Sequence, residues 1–123
     1  MHLILIGLGG FFGAISRHVV DGWISSLSRT AFPFGTLTVN VSGSLLAGLL
    51  FALVVERATL PEDLRGPLII GFLGAYTTFS ALAMESWRLL DDGAWLLAMF
   101  NVAGSIVLGL IALMAGMALG RWL

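Results

Sequence analysis

Charged residues are absent from three long stretches of the chain. These stretches are Thr30–Val55, Gly66–Met84 and Gly93–Gly120. A helix needs roughly 20 apolar residues to cross a bilayer, so each stretch predicts one membrane span. Residues 3–24 form a fourth apolar stretch, which carries Arg17 and Asp21 in its second half. The pattern predicts spans at about residues 3–24, 33–55, 66–88 and 94–120, in a single transmembrane domain that covers residues 1–123.

The first apolar stretch has a second interpretation, a cleavable signal peptide. Signal peptides begin with a basic region and end at a cleavage site of small residues. This chain begins Met1-His2-Leu3 and has no lysine or arginine before Arg17. We therefore expect a membrane span at this position.

The composition indicates a multi-pass membrane protein. Of the 123 residues, 59% are hydrophobic and only 11% are charged, whereas about 25% of the residues in a soluble domain are charged. The chain has no cysteine, which excludes disulfides and thiolate metal sites. It has no run of lysine or arginine, so we expect no nucleic-acid partner. No group of residues has the spacing of a catalytic triad or a metal site, so we predict that the protein is not an enzyme.

The third stretch contains residues that favour a break in its helix. Residues 71–80 are Gly-Phe-Leu-Gly-Ala-Tyr-Thr-Thr-Phe-Ser. Glycine and β-branched threonine in close succession disfavour a continuous helix. Within a bilayer, non-helical backbone is tolerated only where protein or a cavity satisfies its polar groups. We therefore predict a broken third helix near Gly74–Thr78, at a functional site.

Polar side chains recur at helical spacing within two other spans. Residues of this kind lie four positions apart at Thr36, Asn40 and Ser44 in the second span, and at Asn101 and Ser105 in the fourth. Residues four apart share one face of a helix. A polar face at mid-membrane is expected to contact protein or water rather than lipid. Two interpretations remain open, namely hydrogen bonds between helices and the lining of a polar path through the membrane.

Charged residues near the span ends also have two interpretations. Arg17 lies four residues before Asp21, a spacing that fits an ion pair on the helix surface, with the arginine extended to the interface. The alternative for Arg17 is a cation that attracts anions into a vestibule. Glu85 ends the third charge-free stretch, and it either marks the membrane interface or faces an inner cavity.

The charges of the loops give little bias in orientation. The cations divide almost evenly between the two sides of the membrane, with Arg57, Arg65 and Arg121 on the side of the termini, and Arg29, Arg88 and Arg17 on or near the other. The positive-inside rule therefore predicts no strong orientation. Either the first helix decides the orientation, or the chain inserts both ways and two opposed copies form an antiparallel dimer.

Three motifs in this chain resemble those of a known family. They cover residues 9–18 (GGFFGAISRH), 34–43 (FGTLTVNVSG) and 71–80 (GFLGAYTTFS). With these motifs in this order across four spans, the chain resembles the fluoride-channel family, Fluc, also called CrcB. The resemblance implies an all-α integral membrane protein with four transmembrane helices, assembled as an antiparallel, dual-topology homodimer with two fluoride pores. It also implies passive export of cytoplasmic fluoride across the bacterial inner membrane, which protects the cell from fluoride toxicity.

The resemblance further implies roles for individual residues. The positions that match the family's fluoride pathway are Asn40, Phe79, Ser80 and Ser105 in the pore, Arg17 in the vestibule, and Glu85 after the break. The backbone carbonyls of Gly74 and Thr77 match the positions that bind a structural sodium ion at the dimer centre. Thr36, one turn before Asn40, is a further candidate.

Two pore positions depart from the family pattern. Leu82 stands where a second phenylalanine is common, and Asn101 stands where some members have tyrosine. A fluoride pore has to replace a strong hydration shell with hydrogen-bond donors, and the Asn40 amide can offer two N–H groups. The electropositive ring edge of Phe79 can favour an anion without binding it tightly.

Two other functions fit a small protein with four spans. A dual-topology exporter of drugs or organic cations couples transport to protons through a carboxylate in the membrane, for which Asp21 and Glu85 are the candidates. An accessory membrane subunit has no transport activity of its own. The first alternative predicts that organic cations are the substrates, and the second predicts no fluoride flux through the purified protein.

Overall fold

The computed structural model describes residues 1–123, and every regular element in it is helical. The first two spans contain helix α1 (His2–Leu27) and helix α2 (Phe34–Phe51), which continues as the π-helical turn Ala52–Glu56. The third span contains the 3-10 turn Glu62–Leu64, the π-helical arm Arg65–Leu73, the short helix α3 (Gly74–Tyr76) and helix α4 (Phe79–Asp91). The fourth span is helix α5 (Trp95–Trp122).

The prediction of an all-helical membrane protein with four spans is confirmed. The segments that are long and apolar enough to cross a membrane are His2–Leu27, Phe34–Glu56, Glu62–Asp91 and Trp95–Trp122. Their C-terminal ends lie one to three residues beyond the predicted ends, and the third span also begins four residues earlier than predicted. Charged and polar residues at the ends of the spans, such as Arg88 and Asp91, remain helical because a helix can extend past the apolar core into the interface.

Glycines allow close contact between α1 and the π-helical arm of the third span. A methyl group added at Gly9 would overlap the carbonyl of Pro67, and one added at Gly13 would overlap the carbonyl of Phe72. In the opposite direction, a methyl group at Gly71 would overlap the carbonyl of Ile6. Small residues let helix backbones approach closely in lipid, where dispersion contacts replace the hydrophobic effect as the source of association.

Glycines also allow α2 and α5 to approach each other closely. A Cβ at Gly48 would overlap the Leu113 carbonyl, and a Cβ at Gly116 would overlap the Leu45 carbonyl. The buried apolar core that results is thin and consists of Val39, Ala52, Val54, Leu73, Tyr76, Leu82, Leu89, Ala98 and Ala112. Most of the large apolar side chains therefore point away from the protomer, as expected for a surface that meets lipid or another subunit.

The ends of α2 and α5 are joined by charged side chains. Arg121 donates two hydrogen bonds to the carboxylate of Glu56, both at 2.7 Å. Arg57 donates to the carbonyls of Gly120 and Arg121, at 3.0 and 3.3 Å. These contacts fix the C-terminal turn of α5 against the connection that follows α2.

The break in the third span is narrower than predicted. Residues Gly74–Tyr76 remain helical, and only Thr77 (φ −78°, ψ 154°) and Thr78 (φ −148°, ψ 113°) are extended. Both the N–H and the hydroxyl of Thr77 donate to the Leu73 carbonyl, which closes the first half of the helix. The hydroxyl of Thr78 accepts the N–H of Ala81 at 3.2 Å, so Thr78 caps α4.

Candidate functional site

A cavity of about 610 Å³ lies beside the break and is open on one flank of the protomer. Its walls come from α2, the π-helical arm, the break, α4 and α5. Six of the predicted site residues line it: Asn40, Gly74, Thr77, Phe79, Leu82 and Ser105. The fold therefore brings together residues that are up to 65 positions apart, since Ser105 follows Asn40 by that number.

Asn40 is hydrogen-bonded to the backbone of the break in both directions. Its Nδ2 donates to the Thr78 carbonyl at 3.1 Å, and its Oδ1 accepts the Thr78 N–H at 2.8 Å. This pairing resembles the exchange of hydrogen bonds between two β-strands, and it satisfies both the backbone N–H and the backbone carbonyl of Thr78. Only one of the two amide N–H groups of Asn40 is left to face the cavity.

Thr36 and Glu85 form a second link between α2 and α4. The hydroxyl of Thr36 donates to Glu85 Oε1 at 2.7 Å, and Thr36 is almost fully buried. The other carboxylate oxygen of Glu85 is buried and has no hydrogen-bond partner. Neither residue lines the cavity.

The polar face of α2 therefore agrees with both interpretations, hydrogen bonding between helices and the lining of a polar path. Thr36 and Asn40 bond to the third span, whereas Ser44 donates to the Asn40 carbonyl of its own helix at 2.8 Å and lines the cavity. Hydrogen bonding between helices and the lining of a polar wall occur on one face, at successive turns.

The two polar residues of α5 have different environments. Asn101 is fully buried, and its Nδ2 donates to Ser86 Oγ at 3.0 Å, while its Oδ1 has no partner. Asn101 does not line the cavity, but Ser105, one turn later, does. The hydroxyl of Ser105 is buried and has no partner in the protomer. A polar group in this state costs about 1–3 kcal/mol. Because the Ser105 oxygen has almost no exposed surface, it reaches an ion or a water in the cavity only if the wall around it shifts.

The side chains of α4 at the cavity differ greatly in exposure. Phe79 is 82% exposed, so its ring has almost no packing within the protomer, whereas Leu82 is only 8% exposed. Ser80 is exposed and does not line the cavity, and its Oγ lies 3.3 Å from Thr78 Oγ1. The wall therefore presents one free aromatic ring and one packed aliphatic side chain.

Two backbone carbonyls of the break have lost the donors of a regular helix. The Thr78 N–H, which would donate to the Gly74 carbonyl in a continuous helix, donates to Asn40 Oδ1 instead. The Thr77 carbonyl accepts no hydrogen bond from the backbone. Gly74 and Thr77 both line the cavity, and each has a neutral carbonyl oxygen without its helix donor. Oxygens of this kind suit a hard cation of low charge. No group of three or more histidine, aspartate or glutamate side chains has the proximity of a metal site.

Arg17 lies away from the cavity and does not pair with Asp21. The Asp21 carboxylate accepts a hydrogen bond from Ser25 at 3.3 Å, and the salt bridge of the structure is Arg121–Glu56. The ion-pair interpretation of Arg17 is therefore wrong for this structure. Arg17 is half-buried on α1, outside the residues that line the cavity.

Sequence reasoning missed two residues that contact the break. The hydroxyl groups of Tyr76 and Ser42 lie 2.9 Å apart and join α3 to α2. Both residues fall within the quoted motifs, which is the signal that was available. Their contact depends on the rotation of α2 against the third span, which helical spacing alone does not define.

Comparison with known proteins assigns the chain to one family. The family model described as "CrcB-like protein, Camphor Resistance (CrcB)" matches residues 4–117. A relative from Hahella chejuensis named "Fluoride-specific ion channel FluC" is 42% identical over 98% of this chain and 94% of its own length. Two relatives with the same name have comparable identities: one from Magnetococcus marinus is 40% identical over 98% of both chains, and one from Syntrophotalea carbinolica is 42% identical over 100% of both.

Proposed function

Because this chain belongs to the CrcB family, also called Fluc, we propose that it is a fluoride-selective ion channel that lets cytoplasmic fluoride leave the cell passively. It is a multi-pass membrane protein and not an enzyme, in agreement with relatives that are named as channels. The observation that carries the proposal is a single cavity within the spans whose wall includes Asn40, Phe79 and Ser105. Relatives named as fluoride channels also disfavour the drug-exporter and accessory-subunit alternatives.

Hydrogen-bond donors and a ring edge are the means by which this cavity would conduct fluoride. The free N–H of Asn40 and the hydroxyl of Ser105 replace part of the hydration shell of the ion. The edge of the Phe79 ring is electropositive and attracts an anion weakly. Conduction needs entry to be favourable and exit to be easy, and several weak contacts in succession satisfy both conditions. The formal net charge of −1 gives no general attraction for anions, so the selectivity is local.

The remaining predicted residues have supporting roles in this proposal. Arg17, which has no ion-pair partner, lies outside the cavity wall, and its vestibule role is what the family resemblance implies: its charge would attract fluoride before the ion reaches the cavity. Leu82 lines the cavity, while Glu85 with Thr36 and Asn101 with Ser86 fix α4 against its two neighbours. Ser80, exposed next to Phe79 but outside the cavity wall, would offer a further hydroxyl only where a second copy of the chain extends the fluoride path.

A second copy of the chain, inserted in the opposite direction, would complete the pathway. The cavity is open on one flank, and Phe79 is 82% exposed beside it, so a partner surface is needed to exclude lipid from the polar atoms. The even division of loop cations permits both orientations in the membrane. We infer an antiparallel homodimer with two pores, located in the bacterial inner membrane.

The carbonyls of Gly74 and Thr77 fit a structural sodium ion in this dimer. Each chain offers two neutral oxygens at the break, and two chains would offer four without any carboxylate, which suits a monovalent ion better than calcium. The ion would supply a positive charge that stabilises the contact between the two breaks.

Replacement of sodium by N-methyl-D-glucamine is expected to lower both the dimer fraction and the fluoride conductance. The physical reason is that four carbonyl oxygens brought together repel one another when no cation lies between them. The dimer fraction is measured by cross-linking in detergent, and conductance by fluoride efflux at matched ionic strength. Equal dimer fraction and equal efflux in both media would show that the sodium assignment is wrong.

Proteoliposomes that contain the purified protein are expected to release entrapped fluoride when valinomycin provides a path for potassium. A passive channel moves charge, so fluoride can leave only if a cation leaves with it. Efflux is followed with a fluoride electrode, and protein-free liposomes are the control. Release of organic cations driven by a proton gradient would favour the exporter, and no flux of either kind would favour the accessory subunit.

A further inference from the structure

The direction of the Phe79 ring depends on the backbone that precedes it. With 82% of its surface exposed, the ring has few neighbours in its own protomer that could orient it. Its position is therefore determined by the extended residues Thr77 and Thr78. Asn40 fixes Thr78 through two hydrogen bonds, but it makes no hydrogen bond with Thr77 at the other end of the break.

That other end is fixed by two hydroxyl groups in succession. The Oγ of Ser42 donates to the Val39 carbonyl at 3.2 Å, and the hydroxyl of Tyr76 lies 2.9 Å from the same Oγ. Because a serine hydroxyl has a single hydrogen and it is given to Val39, the Tyr76 hydroxyl is the donor to Ser42. We name this sequence of contacts, from Tyr76 through Ser42 to the Val39 carbonyl, the hydroxyl chain.

The surroundings of Tyr76 leave its ring little freedom. Tyr76 is only 6% exposed, and its ring stacks on that of Phe72 at 5.7 Å between centroids and 9° between planes. On the side of α2, a Cβ at Gly43 would overlap the Thr77 methyl group and lie 3.1 Å from the Tyr76 ring. The ring thus occupies a slot that exists because residue 43 is glycine, and the hydroxyl chain lies at the end of that slot.

We propose that Ser42 and Tyr76 are positioning residues for fluoride conduction: the hydroxyl chain fixes the backbone on the α3 side of the break, and so aims the Thr77 carbonyl and the Phe79 ring. Neither residue lines the cavity, so neither contacts the ion, and both act through the backbone. The break is then held at two points, by the hydroxyl chain before Thr77 and by Asn40 at Thr78. This inference rests on the proposed fluoride channel and adds two residues to it.

Removal of either hydroxyl is expected to slow fluoride efflux about fivefold, the factor that corresponds to one hydrogen bond of ordinary net strength. The variants are Tyr76→Phe and Ser42→Ala, and the double variant is expected to lose no more than the worse single one, because both disrupt one chain of contacts. Ser42→Thr keeps the hydroxyl and is expected to retain most of the efflux. Amide hydrogen exchange in the peptide that covers residues 74–82 is expected to become faster in the two slow variants.

Ser26→Ala is the matched control. Like Ser42, Ser26 donates to the carbonyl three residues earlier, in this case Trp23 at 2.6 Å, but it lies at the end of α1 far along the chain from the break. We expect this variant to match the wild type in efflux and in exchange at residues 74–82. If Ser26→Ala also slowed fluoride efflux, the loss of any hydroxyl would have the same effect, and the proposal would be overturned.

The chain contains a single tyrosine, which allows the contact itself to be observed. Protein labelled with ¹³C at the tyrosine ζ carbon gives one resonance, and Ser42→Ala is expected to shift it, whereas Ser26→Ala is not. The proposal is overturned if Tyr76→Phe and Ser42→Ala release fluoride at the wild-type rate, or if amide exchange at the break is unchanged in them. If the wild type releases no fluoride, both the proposed function and this proposal are rejected. The tyrosine resonance then tests only whether the contact between Tyr76 and Ser42 exists.

Discussion

Replacement of Asn40 by aspartate is expected to reduce fluoride efflux at least a hundredfold. Aspartate has nearly the same shape and can still accept the Thr78 N–H, which lies 2.8 Å from Oδ1 in the wild type. The second oxygen, however, would face the Thr78 carbonyl, to which Nδ2 now donates at 3.1 Å. The change therefore sets two acceptors against each other and places a negative charge beside the cavity.

The charge is the larger of the two effects. Two unit charges 4 Å apart repel by about 4 kcal/mol at an effective dielectric constant of about 20, and each 1.4 kcal/mol corresponds to a factor of about ten. The loss of one hydrogen bond contributes about 1 kcal/mol by comparison. An anion that passes Asn40 would thus meet a barrier large enough to stop efflux on the time scale of the assay.

Two further variants separate these effects. Asn40→Ala removes both hydrogen bonds, about 2 kcal/mol in total, and adds no charge, so we expect a loss of about thirtyfold, smaller than that of the aspartate variant. Ser28→Asp adds a charge in the connection after α1, outside the spans, and is expected to leave efflux near the wild-type rate. Efflux from Asn40→Asp at the level of Asn40→Ala would show that fluoride does not pass this residue.

The spans and the break could be predicted from the sequence because they depend on local chemistry. Charge-free stretches of membrane length define the helices, and the succession of glycine and threonine in residues 71–80 weakens the third one. The exact break could not be predicted, because it is set by partners distant in sequence. Thr78 can be extended because Asn40, which is 38 residues away in the sequence, satisfies its backbone N–H and carbonyl.

The candidate site could be predicted only in part, because helical spacing gives the face of a residue but not its neighbour. Thr36, Asn40 and Ser44 share one face, yet their partners differ: a carboxylate, the break and their own helix. Asn101 and Ser105 also share a face, and only Ser105 reaches the cavity. The spacing of Arg17 and Asp21 permits an ion pair, but in the structure the Asp21 carboxylate accepts a hydrogen bond from Ser25 instead.

Replacement of Phe79 by isoleucine is expected to reduce fluoride efflux tenfold or more while the protein remains folded. The protomer loses little packing because the ring is 82% exposed. What is lost is the electropositive ring edge, since isoleucine has comparable bulk and no quadrupole to attract an anion. Phe79→Tyr keeps a ring edge and is expected to retain more efflux than Phe79→Ile.

The structure provides a matched control for this change on another surface. Phe100 of α5 is 59% exposed and lines an apolar groove between α2 and α5, away from the cavity. Phe100→Ile makes the same chemical change in the membrane and is expected to leave efflux unaltered. Both variants are measured as fluoride release from liposomes, with the dimer fraction determined in parallel. Equal efflux from Phe79→Ile and Phe100→Ile would place the fluoride path elsewhere in the molecule, because the free aromatic edge is the feature that distinguishes this wall of the cavity.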